Sequence, residues 1–205
     1  MTATVTEAVV FDVGNVLIEW DPRRLYRKLL PDDAAVERFL ATVCTPEWNA
    51  EQDRGRPVAD AVATLAAAHP GQHDLIAAYY GRWTEMLGGS IGGTVRILSA
   101  LRAEGVPCYG LTNFSSETWG LALRRFPFLT TFDGVVVSGR EGVIKPDRAI
   151  YRRLIARYGL RPEVTAFVDD QHANVGAAGH LGFQATRFES AARLRHDFRR
   201  LGLPV

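Results

Sequence analysis

Ala8-Val9-Val10-Phe11-Asp12-Val13-Gly14-Asn15-Val16 decides the reading of this 205-residue chain. Four apolar residues followed by a Gly-Asn turn signal predict a strand buried on both faces, too short to be a helix. A carboxylate at the tip of such a strand is costly unless a cation or hydrogen-bond donors meet it. Taken alone, Asp12 reads as well as a turn former or cap. Three further polar landmarks, each following or adjoining its own apolar run, favour a site: Leu111-Thr112-Asn113, Ile144-Lys145-Pro146 and Val168-Asp169-Asp170.

Downstream, the pattern alternates as expected of a parallel α/β sheet. Strands are expected at 106–111, 134–137, 164–168 and 183–186. They alternate with helices at 95–104, 115–126, 149–158 and 173–181, and a basic amphipathic helix at 189–201 closes the chain. Between the first strand and this series lies about seventy residues of helical periodicity, punctuated by Pro31, Pro46, Gly55-Arg56-Pro57 and Pro70-Gly71. The expected organisation is therefore an α/β core, residues 1–18 and 91–205, carrying an all-helical insert, residues 19–90. No strand is expected in the insert, and the Gly88 to Gly93 stretch is expected to act as its hinge.

Hydrophobic residues make up 47% of the chain, enough for a packed core, and 24 Lys and Arg nearly cancel 23 Asp and Glu. That balance gives no reason to expect nucleic acid or an anionic membrane as partner. Cys44 and Cys108 have no metal-ligand spacing, and the N-terminus has no secretory pattern. A reduced, cytoplasmic setting is expected.

In a parallel sheet the residues just past the strands' carboxyl ends converge on one crevice. Asp12, Thr112 and Asp170 fall there directly, and Lys145 after a short loop. A carboxylate nucleophile, a hydroxyl, a fixed cation and an acidic pair suit phosphoryl transfer. A phosphate monoester is dianionic, so an attacking carboxylate needs a lysine and a divalent cation, with Mg²⁺ the natural choice for oxygen ligands. Ser115 and Ser116 suggest a capped helix N-terminus near the phosphoryl oxygens.

The order and spacing of the four motifs resemble the haloacid dehalogenase (HAD) superfamily, across essentially the whole chain. The resemblance implies a doubly wound, Rossmann-like core with a helical cap over residues 19–90. It implies Asp12 as nucleophile and metal ligand, the Gly14 carbonyl and Asp170 as further ligands, and Lys145 as the charge-neutralising cation. Thr112 and Asn113 are expected to bind the phosphoryl group, with Asp169 and Asn174 behind the metal. Arg54 is the cap residue offered to reach substrate oxygens, although an ion pair at a helix end is the simpler use for it.

One departure matters. Phosphatases of this superfamily usually carry a second aspartate two residues after the nucleophile, as general acid and base, and here that position is Gly14. His172, Glu19 and Asp21 are the substitutes the sequence offers, each with a duller role as loop or capping residue. The motif forms are similar to glucose-1-phosphate-type phosphatases, so a small phosphorylated metabolite, a sugar phosphate first, is the expected substrate. A metal-independent 2-haloacid dehalogenase and a non-catalytic binding protein are the alternatives. The retained acidic pair weighs against the former, and the retained nucleophile and lysine against the latter.

Overall fold

The structure, a computed structural model, describes residues 6–205. A five-stranded parallel sheet forms its centre, built from β1 (Ala8–Phe11), β4 (Cys108–Thr112), β5 (Gly134–Val137), β6 (Thr165–Asp169) and β7 (Gln184–Arg187) in the spatial order β5-β4-β1-β6-β7. The chain runs outward on one side from β1 through β4 to β5, then crosses to lay β6 and β7 on the other. The strand order thus reverses at β1, the place where such sheets open a ligand crevice.

Alternation along each strand feeds two apolar layers. Val9 and Phe11 join one layer with Ala166 and Val168, whereas Val10 joins the other with Leu111 and Phe167. The second layer is filled from α9 (Arg148–Tyr158) and α10 (His172–His180), through Ile150, Tyr151, Leu154 and Ala178. The first is filled by α6 (Gly92–Ala103), α7 (Ser116–Arg125) and α11 (Ala191–Arg200), and it continues into the insert through Leu17, Tyr26, Phe39 and Tyr79. Core and insert therefore share one hydrophobic cluster. The expected sheet and the helices of the core are all present, with ends moved by at most three residues.

The insert contains α1 (Arg23–Tyr26), α2 (Asp33–Thr42), α3 (Pro46–Asp53), α4 (Val58–Ala68) and α5 (His73–Gly81). Its entry and exit differ from the expectation. Ile18–Trp20 (β2) and Leu87–Ser90 (β3) pair as an antiparallel ribbon, with Ile18 opposite Ser90 and Trp20 opposite Leu87. The glycine-rich stretch is thus half of a paired stalk. Sequence pattern misses it because the ribbon is three or four residues long and has glycines where β-branched side chains would announce a strand.

The seam is closed by backbone contact. Thr45 caps α3 by accepting from the Trp48 N–H, with Pro46 in the first turn. At its far end Gly55 takes φ +101°, and a Cβ built there would stand 2.8 Å from the Gly139 carbonyl oxygen in α8 (Ser138–Glu141). Two Gly55 requirements therefore coincide, a left-handed backbone and a close approach. Gly55→Ala should cost roughly 1–3 kcal/mol, measurable by urea unfolding, from strain together with a lifted seam; an unchanged midpoint would contradict this docking.

Candidate active site

Strand register brings the site together. Phe11 pairs with Gly110 of β4 and with Val168 of β6, and the Asp12 N–H donates to the Val168 carbonyl at 2.9 Å. Asp12 therefore lies level with Asp169, the last residue of β6, while Thr112 ends β4 and is almost fully buried. Ser115 caps α7, its hydroxyl accepting from the Glu117 N–H at 3.3 Å.

Lys145 is the hub. Its side chain is 1% exposed, and Nζ lies 2.9 Å from Asp12 Oδ1 and 2.6 Å from Asp169 Oδ2. Burial alone would lower its pKa, but the two carboxylates more than offset this and raise it, so the ammonium is fixed. Asn113 holds the lysine from behind. Its Oδ1 accepts from the Lys145 N–H at 2.8 Å and its Nδ2 donates to the Lys145 carbonyl at 3.0 Å. Both ends of the Asn113 amide are thus engaged with the lysine backbone.

The acidic pair divides by environment. Asp169 is fully buried and accepts from Lys145, from the Gln171 N–H at 2.8 Å and from Asn174 Nδ2 at 3.0 and 3.1 Å. Asn174 is positioned in turn by its carbonyl, which accepts from Tyr151 Oη at 3.0 Å. Asp170 is half-buried and meets the Gln171 amide at 2.8 Å. One carboxylate oxygen each from Asp12, Asp169 and Asp170 lies within 4.8 Å of the others.

Three carboxylates facing one ammonium are unbalanced. Burial raises the Asp12 pKa, Lys145 opposes this, and Asp169 and then Asp170 add to the rise. Asp170 is raised chiefly by burial and then by Asp169, with the Gln171 amide opposing. Two neighbouring acids that ionise reluctantly are what a cation relieves. An all-oxygen donor set that includes carboxylates fits a hard divalent ion.

Beside this cluster, between the strand ends and the helices of residues 19–90, lies a cavity of about 90 Å³. Gly14, Asn113 and Ser115 line it from the core, and Trp20, Asn49 and Asp53 from the cap side. Asn15 carries the left-handed backbone of the turn, at φ 54°, and its Oδ1 accepts from the Trp20 N–H at 3.0 Å. Gly14 has no such φ, and a Cβ added there would meet nothing within 4 Å. Neither backbone nor space requires glycine at position 14.

A family model for haloacid dehalogenase-like hydrolases matches residues 6–182. The chain belongs to this family. The HAD-like hydrolase is 28% identical over 182 residues to a sesquiterpene phosphatase of Aspergillus oryzae, a match covering 87% of this chain and 88% of that one. Its fold is shared with a HAD-like family hydrolase from Porphyromonas gingivalis (TM-score 0.76, 24% identity, 97% and 98% of the two chains). It is shared also with a HAD family enzyme from Bacteroides thetaiotaomicron solved with magnesium and inorganic phosphate (TM-score 0.69, 20% identity, 90% and 95% covered).

The HAD-like hydrolase places Arg54, His172, Glu19 and Asp21 away from the cavity lining. Arg54 sits at the carboxyl end of α3 with its guanidinium 2.5 Å from Glu51, half-exposed and outside the cavity lining. The helix-end ion pair describes it. His172 is exposed in the first turn of α10, Glu19 pairs with Arg24, and the Asp21 carboxylate accepts from the Arg23 N–H, so none of the three lines the cavity. Trp20 does line it, whereas Trp48 packs edge-on against Tyr79 inside the cap.

Asp53 in the cavity lining and the buried Ser138 behind it carry no motif. Ser138 Oγ bridges core and cap, accepting from the Phe114 N–H at 2.9 Å and donating to the Asp53 carbonyl at 2.5 Å. The Asp53 carboxylate accepts from Asn49 Nδ2 at 3.0 Å. The available signal was the Asn49–Asp53 spacing, which puts both on one helix face.

Proposed function

We propose that this enzyme is a Mg²⁺-dependent phosphatase of small phosphorylated metabolites, working through an aspartyl-phosphate on Asp12. The observation that carries the reading is the buried Asp12–Lys145–Asp169 arrangement beside Asp170, at the switch point of the sheet and next to a cavity closed by the cap. Asp12 is the nucleophile, and Lys145 holds it and neutralises the phosphoryl oxygens. Thr112 and the amides at the start of α7 receive those oxygens, and Asn113 keeps Lys145 in place. Asp12, the Gly14 carbonyl and Asp170 would hold Mg²⁺, with Asp169 and Asn174 supporting them. The ion would supply Lewis-acid neutralisation of charge on the transferring group. The B. thetaiotaomicron neighbour was solved with magnesium and inorganic phosphate, which supports the choice of ion.

Substrate entry to this cavity is expected to involve movement of the cap. Trp20 and Trp83 offer faces, and Asn49 and Tyr80 offer polar groups, suited to a sugar phosphate. A second reading, an extended apolar phosphate ester, is favoured by an adjoining groove of about 500 Å³. That groove shares Trp20 and Asn49 with the cavity and continues along Leu40, Cys44 and Tyr79. The likeness to a sesquiterpene phosphatase points the same way.

Sugar phosphates and prenyl phosphates should be assayed side by side with Mg²⁺ and with chelator. Phosphate release that falls to background with chelator and returns on adding Mg²⁺ is expected. Full turnover with excess chelator, or halide release from 2-haloacids, would remove the reading.

A further inference from the structure

Gly14 leaves the expected position of a proton-transferring carboxyl empty, and the lining of the same cavity includes another carboxyl, that of Asp53. Resting on the phosphatase reading above, we propose that Asp53, delivered by the cap, donates the proton to the leaving oxygen and then accepts one from the attacking water.

Placement comes first. The cap docks over the carboxyl ends of the strands: Ser138, which follows β5, bonds the Asp53 carbonyl, and Glu117, in the first turn after β4, accepts from the Val58 N–H at 2.8 Å. Asp53 is thereby fixed where the end of α3 meets the core. In an in-line displacement the leaving oxygen departs on the side of phosphorus away from Asp12, which is the side the cap covers.

The surroundings suit proton transfer. Burial pushes the Asp53 carboxyl up to about 7, with the Ser115 N–H and Asn49 opposing. A donor with a pKa near the working pH exchanges protons in both directions. On its own segment Glu51 and Arg54 pair with each other, and Arg56 is engaged with Gln52 and the Trp48 carbonyl. From α5 it faces the neutral Tyr79 and Tyr80 hydroxyls, the latter donating to Asn49 Oδ1. From α7 and α8 it faces the Ser115 amide and Ser138. No partner in this set neutralises its charge, so the carboxyl is free to gain and lose a proton.

The balance is complete. An Asp12 oxygen bonds phosphorus as the ester P–O bond breaks, and the Asp53 proton goes to the departing alkoxide. Water then attacks phosphorus and gives a proton to the Asp53 carboxylate. The bond from Asp12 to phosphorus breaks, releasing phosphate and restoring both residues.

Asp53→Asn is the direct test, with Mg²⁺ present and two esters, p-nitrophenyl phosphate and an alkyl phosphate. On the alkyl ester kcat should fall about 10²–10⁴-fold. On p-nitrophenyl phosphate the first-turnover burst of nitrophenol should persist, because that leaving group needs no acid, while later turnover slows for want of a base. The alkaline limb of the parent's kcat profile near neutrality should disappear. Asp53→Glu should keep part of the activity, and Gly14→Asp in the Asp53→Asn background should restore alkyl-ester turnover, since position 14 has room. Burst and steady state falling together, no rescue by Gly14→Asp, or no change at all would overturn the role of Asp53. A parent that releases phosphate from no ester would instead remove the phosphatase reading, and the inference with it.

Discussion

Asp12→Asn is expected to abolish phosphate release, by at least about 10⁴-fold, as loss of a nucleophile does elsewhere. The substitution keeps the shape of the side chain and its reach toward the Val13 N–H, which Asp12 Oδ1 accepts at 2.7 Å. It removes the carboxylate charge and replaces one oxygen with an NH2 group. Folding should survive, because burial already disfavours the ionised form of Asp12 and Asp169 remains as a partner for Lys145. The parent should accumulate a hydroxylamine-sensitive phosphoryl group on Asp12 during turnover, and the variant none. Parental rates in the variant would end the covalent mechanism.

Lys145→Met should damage both rate and fold. Two carboxylates, 7% and 0% exposed, lose the ammonium that lies between them. Removing one partner of a buried charge pair typically costs about 3–5 kcal/mol, because the other is left uncompensated. The penalty has a pH sign. Burial raises the Asp12 pKa in the folded chain, so that carboxyl binds its proton more tightly there than when unfolded. Lowering pH from neutrality toward the ordinary carboxyl range then favours the folded state through this group, and raising pH disfavours it. Without Lys145 that rise is larger, so the stability gap between variant and parent should narrow at mildly acidic pH. Urea unfolding of both proteins at the two pH values measures it. A gap that is small and independent of pH would show that Lys145 does not compensate these charges.

The site residues differ in how legible they were. Asp12, Thr112 and Asp169-Asp170 stand out because a parallel sheet ends all its strands at one crevice, so a polar residue that terminates an apolar run has its location fixed by topology alone. Asp53 does not end an apolar run. It lies in Glu51-Gln52-Asp53-Arg54, polar residues of which helix periodicity says only that successive side chains fan around an axis. Arg54 and Asp53 differ by one position and thus by about 100° around α3, which separates the surface ion pair from the cavity wall. The choice between them depends on how the cap is turned against the core. That is set by Ser138 reaching the Asp53 carbonyl and by Gly55 lying against Gly139.

Gly14 shows the same division. The sequence marks it as an absence, and only space and backbone show that the absence is not imposed. Its turn is carried by the left-handed Asn15, and a side chain at 14 would enter open volume.

By itself the sequence determined the parallel α/β core, the order of its elements and the convergence of Asp12, Thr112 and Asp170 at the strand ends. These follow from short-range period and from the single direction in which parallel strands point. Only the tertiary structure decided the paired stalk at Ile18–Trp20 and Leu87–Ser90, the clamp of Asn113 on Lys145 and the presence of Asp53 in the cavity. Each of these joins segments 30 or more residues apart, or turns a helix about its own axis, and neither is written in a local pattern of apolar and polar residues.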